Sequence, residues 1–272
     1  MEYAITDEEF ERFRSLVYQE SGINLSDGKK SLVVARLSKR LRALGLESFH
    51  DYYERVSEES GSDEFTRMLD CISTNKTDFF REPLHFAFLR DHILPALSSL
   101  KRIRIWSAAC SSGEEPYTIA MTLFDGVSAP LQWDSKILAS DLSTRMLDQA
   151  ASGIYEEDRV RELPPDTVRR HFLKGRGKLV GMVKVKPHLS DMVLFRRINL
   201  MDARYPIKAP LDVIFCRNAM IYFDRATQQQ LVNKFHRYLK PGGHLFIGHS
   251  ESLQWVEHPF RTVAPTIYRK ES

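Results

Sequence analysis

The sequence predicts an α/β protein: a mostly parallel, doubly wound sheet preceded by an all-helical domain and interrupted by a small antiparallel insertion. Three observations carry this. In the first hundred residues apolar positions recur every three or four places, helix-ending signals are in place, and no strand pattern intervenes. From Lys101 onward the short apolar runs RIRIWSA, SKILASD, VLFRRINL, LDVIFCRN and GGHLFIGHS alternate with the helical stretches PYTIAMTLFDG, STRMLDQAASG and ATQQQLVNKFHRYL, as βαβ units require. Between Gly153 and Val193 that alternation breaks. A charged stretch there carries Pro164, Pro165, Gly175, Gly177 and Gly181 and leads into the alternating GMVKVKP.

The elements follow in order. Phe10, Phe13, Val17 and Tyr18 make one apolar stripe, ended by Ser21-Gly22; Leu32, Val33, Leu37, Leu41 and Leu44 make a second, ended by Gly45 at a position suited to a left-handed cap. Further helices are expected over 49–56 and 63–72. The division between helical and sheet regions is placed near 90–101, giving a helical domain and linker over 1–92 and a sheet domain over 93–272, with the insertion at about 155–192.

Composition narrows the function classes. The 272 residues carry 39 Lys+Arg against 36 Asp+Glu, a net charge of +3, with 43% hydrophobic and 28% charged residues. That balance fits a folded globular protein and excludes disorder, collagen and coiled coil. No run approaches the ~20 apolar residues that span a bilayer, and the acidic start MEYAITDEEF is unlike a secretory signal, so a cytoplasmic protein without membrane insertion is expected. Cys71, Cys110 and Cys216 are odd in number and far apart, which suits buried free thiols. The nine histidines show no H-x-x-x-H or other ligand spacing, so no metal is expected.

Four motifs carry chemistry. Arg104 to Tyr117, RIWSAACSSGEEPY, is a strand running through a turn of small residues into a helix with Pro116 in its first turn. Such a first strand-to-helix turn receives nucleoside-containing cofactors. It lacks both G-x-x-x-x-G-K-[ST] and G-x-G-x-x-G, and Glu114 and Glu115 would repel a pyrophosphate. A cationic, phosphate-free ligand fits better, and S-adenosylmethionine is one. The apolar run ILASD ends in Asp141, an acid placed either to accept from both ribose hydroxyls or to cap the next helix. LDVIFCRNAMIYF emits Arg217 and Asn218 abruptly at a strand end, with Tyr222 four residues on; Arg-Asn-Ala-Met is unlike the Asn/Asp-Pro-Pro-aromatic sequence that holds an exocyclic base amine. Finally, TNKTDFFREP sets Asn75, Thr77 and Arg81 beside Phe79 and Phe80, either closing the cofactor site from the helical side or linking two domains.

At these residues the sequence resembles the CheR family of chemotaxis receptor methyltransferases, which methylate glutamate side chains of bacterial chemoreceptors with S-adenosylmethionine. TNKTDFFRE, WSAACSSGEEPYTIA, ASD, CRNAMIYF and LKPGGHLFIGHSE look like that family's motifs in its order, across nearly the whole chain. The resemblance implies a class I, Rossmann-like methyltransferase domain with an N-terminal helical domain and an inserted β-subdomain. It implies cofactor contacts at Asn75, Thr77, Arg81, Glu115 (or Glu114 beside it), Asp141, Asn199, Leu200, Arg217 and Asn218, with Arg81, Asp141 and Tyr222 mattering most for activity. The product would be S-adenosylhomocysteine. A glutamate with a pKa of about 4.3 is already a nucleophilic carboxylate at neutral pH, so the missing Ser-His-Asp set and missing metal agree with that chemistry.

Two basic segments point to partners. KKSLVVARLSKRLR, residues 29–42, has six Lys/Arg and no acid on a helix with an apolar face. Lys29, Arg36, Lys39, Arg40 and Arg42 can meet an acidic helix, a nucleic-acid backbone or solvent; the resemblance favours the glutamate-rich methylation helices of a receptor. In the insertion, Lys174, Arg176, Lys178, Lys184 and Lys186 flank Gly175 and Gly177 on an apparent hairpin whose edge can bind an extended receptor tether by β-augmentation. A monomer that does not act on nucleic acid is expected. The competing readings are a nucleic-acid methyltransferase, disfavoured by the +3 charge and the absent amine-binding sequence, and an inactive adaptor, disfavoured by Arg81, Asp141 and Tyr222 being in place.

Overall fold

A computed structural model describes residues 3–58, 63–72 and 75–271. Its first helices are α1 (Asp7–Ser21), α2 (Lys30–Leu44), α3 (Phe49–Glu58) and α4 (Asp63–Ile72). A capping box starts α1: Thr6 Oγ1 accepts from the Glu9 amide, and the Glu9 carboxylate accepts from the Thr6 amide. Gly22 and Gly45 end α1 and α2 in the left-handed conformation, at φ +71° and +67°. Gly22 has a second reason to be glycine, since a Cβ there would lie 2.3 Å from Met201 Sδ. Phe10, Phe13, Val17, Val33, Leu37, Leu41, Phe49, Tyr52 and Met68 close a core of their own. Tyr18 and Leu32, expected inside it, are exposed; the Tyr18 hydroxyl reaches out to Asp224.

Next come α5 (Leu84–Phe88), a π turn (Leu89–Ile93) and α6 (Leu94–Ala96) in one run. Phe86, Leu89, Ile93, Leu94 and Leu97 pack with the sheet residues Ile103, Ile105, Val213 and Phe246, not with the bundle. The sequence reading divided the chain after residue 92, whereas the packing divides it before Phe79. Helical periodicity reports that a face is buried, and not which core buries it.

The remaining elements are β1 (Arg102–Ser107), α7 (Glu114–Asp125), β2 (Asp134–Asp141), α8 (Thr144–Ser152), β3 (Ile154–Glu156), α9 (Pro165–His171), β4 (Phe172–Lys174), β5 (Met182–Val185), α10 (Pro187–Ser190), β6 (Val193–Arg197), β7 (Leu211–Cys216), α11 (Arg225–Tyr238), β8 (Leu239–Ile247), β9 (Phe260–Ala264) and β10 (Ile267–Lys270). The main sheet has the order β6-β2-β1-β7-β8-β10-β9, with the first five strands parallel and β10 antiparallel to both β8 and β9. The buried strands β1 and β7 account for the near-continuous apolar runs. The insertion is a three-stranded antiparallel sheet, β3-β5-β4. Gly175 follows β4 where a Cβ would sit 1.9 Å from the Leu179 carbonyl oxygen, and Gly177 adopts φ +60°. Cys110 and Cys216 are buried thiols as expected, and Cys71 is half-buried.

Candidate active site

From β1 the chain winds outward to β2 and β6, then crosses back to continue with β7 and β8 on the other side. The carboxyl ends of β1, β2 and β7 therefore open on a switch-point crevice, where doubly wound sheets bind ligands. A cleft of about 1090 Å³, counted to its open mouth, occupies this position. The small residues of the first motif, Ala108, Ala109 and Ser111, form its floor, and Gly113 at φ +97° turns the chain into α7.

Every residue that the sequence reading gave to cofactor or catalysis lines this cleft: Asn75, Thr77, Arg81, Glu115, Asp141, Asn199, Leu200, Arg217, Asn218 and Tyr222. Thr74, which opens the motif of Asn75, lies outside the described residues. Of the two adjacent glutamates, Glu115 borders the cleft, while Glu114 turns to Ser112 and Arg159 on the far side.

Asp141 ends β2 with one carboxylate oxygen accepting from the Ser111 amide at 2.8 Å and the other from the Ser143 amide at 3.0 Å. It ties the β1 turn to the β2 turn. The capping role that the sequence left open falls to Ser143, whose hydroxyl accepts from the Met146 amide of α8. Burial raises the Asp141 carboxyl above its ordinary range, and the Ser143, Ser111 and Leu142 amides pull it back in part.

Arg217 is the hub of the opposite wall and is buried. Its guanidinium meets Glu115 at 3.2 Å and Glu82 at 3.1 Å, donates to the Arg81 carbonyl oxygen, and lies over the Phe86 ring. Glu115 also accepts from Ser107 at 2.6 Å; burial pushes its carboxyl up against the pull of Arg217 and Ser107. For Glu82, burial is outweighed by Arg217, the His249 amide and the Asn218 side chain, and the carboxyl is held below its usual range. Glu82, His85 and His249 bring possible ligand atoms within 4.8 Å of one another. Glu82 in that cluster is already engaged by the Arg217 guanidinium and the Asn218 side chain.

Sequence reasoning missed three features. Glu251, from the GHSE motif, accepts from the amides of Gly248, Asn218, Met220 and Ile221 and so folds the 218–222 turn. Four non-glycine residues around the cleft, Phe80, Glu82, Ser111 and Asn218, hold positive φ, as strained functional loops do. The helical domain also lines the cleft, through Ser21, Ile23, Thr66, Leu69 and Asp70. It is stitched to the sheet domain by an Ile23–Phe223 bridge, by the Asn24 amide to the Tyr222 carbonyl oxygen, and by Asn199 Nδ2 to the Glu20 carbonyl oxygen.

Residues 75–269 match the CheR methyltransferase SAM-binding domain, and residues 8–73 match the CheR methyltransferase all-alpha domain. The chain belongs to the CheR family. It is 43% identical to the chemotaxis protein methyltransferase of Escherichia coli (strain K12) over 97% of this chain and 91% of that one. The chemotaxis protein methyltransferase of Borreliella burgdorferi is 42% identical (98% and 95% covered), and chemotaxis protein methyltransferase 2 of Pseudomonas aeruginosa is 41% identical (98% and 94%).

The cofactor of this CheR fold is S-adenosylmethionine, and the donor set suits it. The cleft offers carboxylates for a cationic ligand and a run of small floor residues, with apolar walls from Leu142, Ile198 and Phe223. No glycine-rich phosphate cradle is present in the turn.

The basic helix differs from expectation. Arg36 Nη1 donates to the carbonyl oxygens of Cys71 and Ile72, satisfying the end of α4. Arg40 grips Glu64 with both Nε and Nη2, and Tyr52 donates to the same carboxylate. Both arginines read as solvent-facing in the sequence, yet both are anchors inside the helical domain. Lys39 and Arg42 are exposed, and Arg42 Nε donates to the Ser38 carbonyl oxygen of its own helix. In the insertion, Lys174 pairs with Glu157 on the surface and Lys184 is exposed.

Proposed function

We propose that this protein transfers the methyl group of S-adenosylmethionine to glutamate carboxylates of bacterial chemoreceptors, giving methyl esters and S-adenosylhomocysteine for adaptation in the cytoplasm. The observation carrying this is the convergence of Arg81, Asp141, Arg217, Asn218 and Tyr222 on one cleft closed by the helical domain. Bound there, the cofactor supplies an electrophilic methyl on a sulfonium. The chain's own residues bind, orient and exclude water. In this reading Asp141 accepts from the ribose, and Glu115 with Arg217 sets the charge of the opposite wall.

Arg81 stands at the cleft with its side chain donating to the Lys76 carbonyl oxygen at 2.9 Å, in position to receive an incoming carboxylate. Tyr222 lines the same cleft, and Lys29 Nζ sits 5.4 Å from its ring centroid. Neither residue must remove a proton, because the substrate carboxylate is ionised at neutral pH. Attack cancels a negative and a positive charge, so alignment and a dry site supply the acceleration. Lys39 and Arg42 on α2 are suited to an acidic receptor helix, and Lys174, Gly175, Gly177 and Lys184 to a tether peptide added to the three-stranded sheet.

The test is incubation with labelled S-adenosylmethionine and receptor-containing membranes. Label should enter the receptor band and leave as methanol in mild base. Base-stable label, or label in nucleic acid, overturns the proposal.

A further inference from the structure

The inserted sheet has a second connection to the cofactor cleft, separate from any partner it binds. Two loops frame the cleft, residues 75–81 and 108–113, and side chains of the insertion hold both. Tyr155 of β3 is buried, and its hydroxyl donates to the Ser112 carbonyl oxygen at 2.7 Å. Phe79 of the other loop packs edge-on against Tyr155 and against Phe172 of β4, with ring centroids 5.1 and 5.4 Å apart. Arg159, just after β3, joins the two loops directly. Its Nη2 donates to the Thr77 carbonyl oxygen and to Glu114 Oε1, and its Nη1 lies 3.0 Å from Asp78. Glu114 is 1% exposed, while Arg159 stands partly in solvent and outside the cleft.

From this arrangement we infer that Arg159 is a positioning residue of the cofactor site, holding loop 75–78 against the start of α7 so that Asn75, Thr77 and Arg81 face the cleft. A planar, five-donor guanidinium can serve a carbonyl and two carboxylates together; an ammonium cannot span them. The inference rests on reading the cleft as the cofactor site. It makes the insertion part of the catalytic framework as well as a docking module.

Three variants test it: Arg159→Ala, Arg159→Lys, and Arg159→Ala combined with Glu114→Gln. Titration calorimetry with S-adenosylhomocysteine should show a dissociation constant about tenfold higher for Arg159→Ala, since a charge-assisted bond to the loop is lost. Arg159→Lys should fall between. The Michaelis constant for S-adenosylmethionine should rise by a similar factor, with turnover at saturation changed less. The double variant separates positioning from simple charge balance. If Arg159 only neutralises buried Glu114, the added Gln restores parental affinity and the inference is wrong; if it holds the loop, affinity stays weak.

Hydrogen exchange on the ligand-free protein needs no cofactor. Amides 75–78 should exchange faster in Arg159→Ala and Arg159→Lys, with β1 unchanged. Parental exchange in both variants overturns the inference, whatever the affinity. A parent protein that fails to bind S-adenosylhomocysteine, or an Asp141→Asn variant that binds it as the parent does, would instead remove the reading of the cleft.

Discussion

Replacing Arg40 by Met should unfold the helical domain more easily, because its ion pair with Glu64 lies inside that domain. The Arg40 side chain is 19% exposed and the Glu64 side chain 9%. The pair is bidentate, and Tyr52 donates to the same carboxylate at 3.0 Å. Removing one partner of a buried pair costs about 3–5 kcal/mol because the other charge stays behind unpaired; the partial exposure of Arg40 puts this case near the lower end, ~3 kcal/mol. At roughly 2–4 °C per kcal/mol, the thermal midpoint should drop by about 6–12 °C. Arg40→Glu should do worse, setting two carboxylates face to face. Glu64→Gln added to Arg40→Met should recover more than half of the loss, since Gln leaves an acceptor for Tyr52 and no stranded charge. Far-ultraviolet circular dichroism during thermal and urea unfolding measures all three variants. An Arg40→Met protein within about 0.5 kcal/mol of the parent would refute the reasoning and return Arg40 to the solvent-facing patch.

Further outcomes concern the cleft and the exposed face of α2. Asp141→Asn keeps the shape of the carboxylate but loses its charge and one acceptor, so S-adenosylhomocysteine should bind about tenfold or more weakly by calorimetry. Burial raises the Asp141 and Glu115 carboxyls in the ligand-free fold, and a cationic ligand selects their ionised forms. Parental affinity should therefore fall as pH drops toward the raised values, beginning above the ordinary carboxylate pKa of about 4, and Asp141→Asn should flatten that slope. Tyr222→Phe should lower turnover more than cofactor affinity; equal losses would place Tyr222 among the cofactor contacts. Lys39→Glu with Arg42→Glu should raise the Michaelis constant for receptor without moving the thermal midpoint. In the parent that interaction should weaken from 0.1 to 1 M salt as the Debye length falls from about 10 to 3 Å, and parental kinetics in the double variant would make this face merely solvated.

The outcome along α2 shows what a sequence discloses and what it withholds. At about 100° per residue, Val33, Leu37 and Leu41 lie within ~40° of one line, Arg40 only ~60° from it, and Lys39 and Arg42 on the far side, at ~160° and ~140°. The helical wheel alone therefore marks Arg40 as a boundary residue, and counting charge along 29–42 without angle concealed it. Arg36, at ~100°, is flanking by the same measure. What draws it in are the carbonyl oxygens of Cys71 and Ile72, 35 and 36 residues away, and no local pattern announces them.

The cleft was legible for the opposite reason. Asp141, Arg217 and Asn218 sit at strand ends, where an apolar run stops abruptly at a polar group, and a doubly wound sheet gathers strand ends at one edge. Glu251 was not legible because its work is done on four backbone amides, which have no side-chain signature. Arg159 was hidden in the same way: all three of its acceptors, Thr77, Asp78 and Glu114, lie in segments far away in sequence. Sequence patterns thus report the groups that face a ligand, whereas the groups that hold those residues in place are found only where distant segments meet. The second kind of group decides whether Asn75, Thr77 and Arg81 meet the cleft at all, so the affinity for cofactor should depend on a residue that never touches it.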